Sequence, residues 1–338
     1  MKRRTFLQTT AITGLGALTG FKTEPTIGHG DFRYRINTRW CKADPAKHPV
    51  KNCHEMVFDK SGRIFMTTDD TRNNILIFNK DGEVLDAWGR EYPGAHGLTC
   101  HDENGAEMLY IADYERRQVI KTNLAGEVVR TFDWPADSGK YKDKDEFRPT
   151  ETAIAPNGDV FVADGYGKDY IVHYDPKGKV KNVFGGPMLL KNAHGVTLDT
   201  RTPDKPALLV TSRAENKLKR FSLDGTWLET IPLPGAYICR PVVHGENVYF
   251  AVLISELPWD SRSGFICILD KNNRVVSAPG ASTPRYLPDG SLKPLYQTVK
   301  VFKHPHDVLI DPNGNLYVAQ WNSDGVYPVR LERTLSSG

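Results

Sequence analysis

The stretch Thr152-Ala153-Ile154-Ala155-Pro156-Asn157-Gly158-Asp159-Val160-Phe161-Val162-Ala163-Asp164 decides the fold. Two short apolar runs flank Asn157-Gly158, a dipeptide that favours the tight turn of a β-hairpin. A third run, Tyr170-Ile171-Val172-His173-Tyr174, follows, and Lys177-Gly178 turns the chain into a fourth. The unit is therefore strand, Gly turn, strand ending in Ala-Asp, strand, Gly turn. It recurs on both sides, and helical periodicity is almost absent after residue 30, so the chain reads as all-β. Six copies are anchored at His54, His96, Thr150, His194, near Arg240, and His306. Their intervals of 42 to 66 residues fit blades of roughly 40–50 residues with added loops. The charged run 137–145 and the Pro/Gly/Ser-rich run 278–294 are the expected loops. Six radial sheets of about four antiparallel strands make a six-bladed β-propeller, expected over residues 31–335. Little chain follows Arg330, so the alternating segment 32–40 is expected to supply the last blade's fourth strand.

Four of the six copies open on histidine: His54, His96, His194 and His306. Blades stacked around an axis bring equivalent positions together. His96, His194 and His306 open copies two, four and six, about 120° apart in a six-bladed ring. Three imidazoles converging at one level make a tripod with an open position. Zinc takes three protein ligands plus water in catalytic sites, and the open position serves Lewis-acid chemistry or activation of water. Read blandly, these histidines only begin inner strands and bond to loops or channel water. His54 stays open between a fourth ligand, a general base and a spare, and His304, two residues before His306, is within reach of the same rim. Asp307 is a candidate to orient a ligand from behind. His101, His173 and His244 fall elsewhere in the repeat and read as structural or surface residues.

The N-terminus, Met1-Lys2-Arg3-Arg4-Thr5-Phe6-Leu7 with a mildly apolar run from Ala11 to Phe21, reads as an export signal over residues 1–30. Its paired arginines match the twin-arginine type, which implies a periplasmic or secreted protein. The formal charge of +3 resides in that segment, and the remainder is balanced. A neutral domain gives no electrostatic reason to expect nucleic acid or an anionic membrane as partner. Nothing after residue 30 is long and apolar enough to span a bilayer. Cys41, Cys53, Cys100, Cys239 and Cys267 form no C-x-x-C pair, which argues against a cysteine-built zinc site.

With these residues in view, the chain resembles the NHL-repeat propellers and, more narrowly, the peptidyl-α-hydroxyglycine α-amidating lyases. The resemblance spans about residues 50–330. It is strongest from Phe147-Arg148-Pro149-Thr150 to Asp164-Gly165-Tyr166, at His96-Gly97-Leu98, from His194 to Arg213, and at His304-Pro305-His306-Asp307. It implies a catalytic zinc on His96, His194 and His306, a catalytic tyrosine at Tyr166 and an active-site arginine at Arg213. The implied reaction cleaves a carbinolamide C–N bond to an amide and glyoxylate, with Tyr166, helped by Arg213 and the metal, taking the hydroxyl proton. Three departures stand out. The family's first-blade arginine falls where this chain has Met66-Thr67-Thr68-Asp69-Asp70, with Arg72 displaced. The cysteine beside the tyrosine is Gly167, and His304 replaces a small or sulfur side chain.

Two other functions compete. One is a binding propeller whose ion is structural, with His54 closing the site. The other is a propeller hydrolase of lactonase type, disfavoured because such enzymes use carboxylate- and amide-rich calcium sites. Copper, nickel or iron also suit a histidine triad, and a channel calcium stays open. Substrate identity and oligomeric state are not legible.

Overall fold

A computed structural model describes residues 26–334. The chain forms six antiparallel sheets around one axis, with three short 3-10 turns as its only helical elements among the described residues. Five sheets are four-stranded meanders, over residues 53–88, 95–132, 151–185, 196–232 and 237–277. These are blades one to five. Blade six joins both ends of the chain: Pro305–Ile310, Leu316–Gln320 and Val329–Thr334 are followed outward by Phe32–Asn37 and then Thr26–His29. Phe32–Asn37 pairs with Val329–Thr334 from Arg33↔Thr334 to Asn37↔Arg330, which closes the ring as the alternation at 32–40 predicts. Of the export segment expected over residues 1–30, residues 1–25 lie outside the described residues, whereas Thr26–His29 belong to the propeller as the outermost strand of blade six.

The deciding stretch folds as read. Glu151–Ile154 pairs with Val160–Ala163 across Asn157-Gly158, and Tyr170–Tyr174 pairs with Val180–Gly185 across Lys177-Gly178. Strands covered on both faces are apolar throughout, as in Ile75–Phe78 and Phe265–Leu269, where every residue is buried. Between blades one and two, Phe65, Ile75 and Ile77 pack on Leu98, Leu109 and Ile111. Such layers fill each wedge between blades. The innermost strands touch one another in ring order, which leaves the axis to the residues at their heads.

Candidate metal and catalytic site

The heads of the six inner strands present equivalent residues in two consecutive tiers. The first tier is His54, His96, Thr150, His194, Cys239 and His306; the next residues along the chain are Glu55, Gly97, Glu151, Gly195, Arg240 and Asp307. A regular strand would turn consecutive side chains to opposite faces. Here the ladders shift register between Cys53 and Met56, Ala95 and Leu98, Ile238 and Pro241, and Pro305 and Asp307. Such bulges re-aim side chains, so that both tiers reach the axis. The two glycines admit the neighbouring backbone: a Cβ on Gly97 would stand 2.6 Å from the Thr150 carbonyl oxygen, and one on Gly195 2.7 Å from Arg240 Cα.

The four histidines converge. Ring centroids lie 4.7 Å apart for His96 with His194 and with His306, 5.0 Å for His194 with His306, and 4.6 and 5.0 Å for His54 with His96 and His306. His96 Nδ1–H donates to the Thr150 carbonyl at 2.8 Å, and His306 Nδ1–H donates to the His54 carbonyl at 3.2 Å. Each of these bonds leaves the Nε2 lone pair for the interior. His306 Nε2 and His194 Nδ1 are buried with no hydrogen-bond partner, and His54 Nε2 stands 3.7 Å from the buried Asp69 carboxylate. Burial first, then neighbouring histidines and Arg213, holds His96, His194 and His306 well below the usual imidazole range. They are therefore neutral, the form that ligates a metal.

His96 Nε2, His194 Nε2 and Tyr166 Oη lie 3.1–3.2 Å from one another. Donors that share one ion at about 2.0–2.1 Å take up such a spacing. Ligand atoms lie within 4.8 Å of one another in two sets, His54–His96–His306 and His194–Cys239–His306. His54 thus stands among the other three. Cys239, which a fifth copy anchored near Arg240 does not single out, occupies the first-tier position of blade five. Its thiol is pushed up to about 11 by burial, against the pull of Arg213.

Tyr166 stands on the turn after Val160–Ala163. The Asp164 carboxylate pins that turn by accepting from Arg148 N at 2.6 Å, Lys168 N at 2.7 Å and Tyr141 Oη at 2.8 Å. Burial raises the Tyr166 phenol, and Arg213 acts against that rise. Arg213, buried in the turn after Ala207–Ser212, donates to the Ile238 carbonyl at 3.2 Å and to Cys239 Sγ at 3.5 Å. The cavity above the histidines holds about 410 Å³ and is walled by Tyr114, Asn192, Leu253, Trp259 and Trp321 besides Tyr166 and Arg213. Tyr114 and Trp321 were not singled out from sequence. Like Tyr166 and Arg213, each follows the end of its blade's second strand, and that shared position is the signal that could have found them.

Two expectations fall elsewhere. His304 does not reach the cluster: its Nδ1 is 3.1 Å from the Asn322 carbonyl, and its Nε2 accepts from Arg262 N at 3.3 Å. Asp307 orients no imidazole. Its carboxylate accepts from Met56 N at 2.9 Å and from Arg240 Nη2 at 2.7 Å. Arg240 also faces Glu55 at 3.4 Å and Glu151 at 3.7 Å, so a guanidinium reaches all three carboxylates of the second tier. Arg72 is an exposed partner of Asp70. All five cysteines are unpaired.

No family model matches the chain. A probable peptidyl-α-hydroxyglycine α-amidating lyase of Caenorhabditis elegans is 31% identical over 146 residues, 38% of this chain and 40% of the relative. Peptidyl-α-hydroxyglycine α-amidating lyase 1 of Drosophila melanogaster is 23% identical over 82% of this chain and 55% of its own length. The human NHL repeat-containing protein 3 is 25% identical over 58% of each chain. The chain therefore matches about half the length of these curated relatives. Among solved structures, a gluconolactonase of Xanthomonas campestris superposes with a TM-score of 0.59 at 12% identity, covering 92% of this chain and 98% of that one. At that identity the likeness shows the fold alone. No helix among the described residues is long and apolar enough to cross a membrane.

Proposed function

We propose that this chain is an exported, metal-dependent lyase, with zinc as its ion, that cleaves the C–N bond of a small hydroxylated amide as the amidating-lyase relatives are named for doing. The observation that carries the reading is the placement of Tyr166 Oη at 3.2 and 3.1 Å from His96 and His194 Nε2, in one cavity with Arg213. A purely structural ion has no use for an ionisable phenol and a buried cation at its open side. His96, His194 and His306 would hold the ion, with His54 as a further donor or base. A bound divalent ion supplies a Lewis acid for substrate oxygen.

The chain's own residues do the rest. Tyr166 accepts the proton of the carbinol hydroxyl, the C–N electrons pass to the amide nitrogen, and that nitrogen takes up a proton. The products are a carbonyl compound and an amide, and no water is consumed. Arg213 favours the phenolate, against the burial that disfavours it. Trp259, Trp321 and Leu253 give the cavity an apolar wall that excludes water from this transfer. Arg213 is the cation among the lining residues, so a substrate carboxylate would have one guanidinium to bind. The basic, Arg-paired N-terminus supports export.

The test is release of glyoxylate from an N-acyl-α-hydroxyglycine, with bound metal measured in the same samples. We expect turnover by the unmodified chain and a fall of about 10²-fold or more in Tyr166→Phe at unchanged metal content. Hydrolysis of a sugar lactone by the same sample, without amide release, would replace the reading with a lactonase. Full metal occupancy with neither activity would leave a binding propeller.

A further inference from the structure

Blade five brings to the axis a residue that the histidine pattern does not contain. Cys239 is fully buried, and its sulfur lies within 4.8 Å of ligand atoms of His194 and His306. It occupies the strand-head position that holds histidine in blades one, two, four and six. The sulfur has one strong donor, Arg213 Nη2 at 3.5 Å, and a longer contact with the Pro305 carbonyl at 3.8 Å. Around it, His306 Nε2 and His194 Nδ1 are buried with no partner. In a buried site such nitrogens cost free energy unless something receives their lone pairs. None of the residues lining the cavity is a carboxylate. The Asp69 carboxylate lies 3.7 Å from His54 Nε2 and is bonded to Asn52; beside His194, His306 and the Arg213 guanidinium, the compensating anion within reach is a Cys239 thiolate.

We infer that Cys239 is a ligand, its sulfur joining His194 and His306 around a thiophilic divalent ion. The inference rests on the reading that this site holds a metal, and it deepens that reading by adding a soft donor to an all-nitrogen set. On binding, the thiol gives up its proton to solvent and the sulfur's electron pair forms the metal bond, while Arg213 stays charged and continues to donate to the sulfur. A thiolate selects zinc, cadmium or cobalt over magnesium, calcium or manganese. It also lowers the net positive charge on the ion, and with it the acidity of any group bound at the open position.

The experiment is Co²⁺ reconstitution of the chelator-treated full chain, followed by absorption spectroscopy and metal counting. We expect stoichiometric cobalt with an intense near-ultraviolet sulfur-to-cobalt charge-transfer band. Cys239→Ser should lose the band and bind zinc roughly tenfold or more weakly. The band's persistence in Cys239→Ser would assign it to another of the five cysteines and overturn the inference. Stoichiometric cobalt with no band would overturn it while leaving the metal reading intact. Absence of bound cobalt would sink the metal reading itself. If Cys239→Ser does not fold, X-ray absorption on the zinc-loaded natural chain decides. One sulfur at about 2.3 Å upholds the ligand, and a shell of nitrogen and oxygen alone at about 2.0–2.1 Å rejects it.

Discussion

The two axial tiers are one residue apart along the same six strands, yet they solve opposite problems. The upper tier gathers imidazoles and a thiol under an open cavity and leaves several of their lone pairs unmatched. The lower tier gathers Glu55, Glu151, Asp307 and Arg240, all buried, into an ionic knot that ties blades one, three, five and six. Burial works against the Arg240 charge, and the three carboxylates outweigh it, so the guanidinium stays protonated. The upper tier leaves ring nitrogens open beneath a cavity, whereas the lower tier sets one guanidinium against three carboxyl groups, of which Glu55 Oε1 and Glu151 Oε2 lack a hydrogen-bond partner. On the function proposed above, the upper tier serves the chemistry and the lower one holds the blades in register.

The largest expected effect lies in the lower tier. Arg240→Ala strips three buried carboxylates of their common partner and should cost about 3–5 kcal/mol of stability, read from urea midpoints at neutral pH. A loss below about 1 kcal/mol would mean that the carboxylates neutralise themselves and that no knot exists. Gly195→Ala comes next. Its Cβ meets the Arg240 backbone at 2.7 Å, and a backbone cannot swing aside like a flexible side chain. We expect about 1–3 kcal/mol from such overpacking, and metal content should fall with it because His194 precedes this glycine.

His194→Ala should separate the tiers by contrast. After chelation its stability should lie within roughly 1 kcal/mol of the parent, because the deleted ring carries an unmatched nitrogen whose burial is costly. Bound metal should nevertheless disappear. A chelated variant that unfolds as readily as Arg240→Ala would make the upper tier structural as well.

The legibility of these features in the sequence follows the same division. Repeats declare themselves through Asn157-Gly158, Lys177-Gly178 and the apolar runs beside them, because hairpin turns and buried strands are local. The four histidines are legible because one residue type recurs in one register. Cys239 is not. Blade five has no histidine to align on, and the bulge between Ile238 and Pro241 breaks the alternation by which a register is counted. His304 misleads for a related reason: closeness in sequence to His306 fixes neither the direction nor the partners of its ring. The pairing of Arg240 with Glu55, Glu151 and Asp307 arises from ring closure between blades far apart in the chain, and no local pattern encodes it.

The smallest effect is the sharpest test of the lower tier, because it concerns a single proton. Glu55 Oε1 and Glu151 Oε2 are both buried without a hydrogen-bond partner, and a proton held by one of the two carboxyls would relieve the repulsion between them. Burial raises Glu55 well above its ordinary 4.5; Arg240 opposes the rise, and Glu151 and Asp307 add to it. Glu151 is raised as well, with Glu55 and Arg240 pulling it back down, so Glu55 is the carboxyl expected to hold the proton. Above pH 4.5 the unfolded chain has released that proton while the folded chain still holds it. The native state then binds more protons than the unfolded one, and stability must fall as pH rises. This contribution is complete below 4.5 and is lost as pH passes the raised value in the folded state. Glu55→Gln replaces the titrating proton with an amide N–H that cannot leave. Its carbonyl oxygen can still accept from Leu98 N, now 2.7 Å from the carboxylate. The variant should match the parent within about 1 kcal/mol near pH 5 and lose less stability toward pH 8, measured as urea midpoints at constant salt. Parallel curves would place the proton elsewhere, and Arg240 would then be holding three ionised carboxylates unaided.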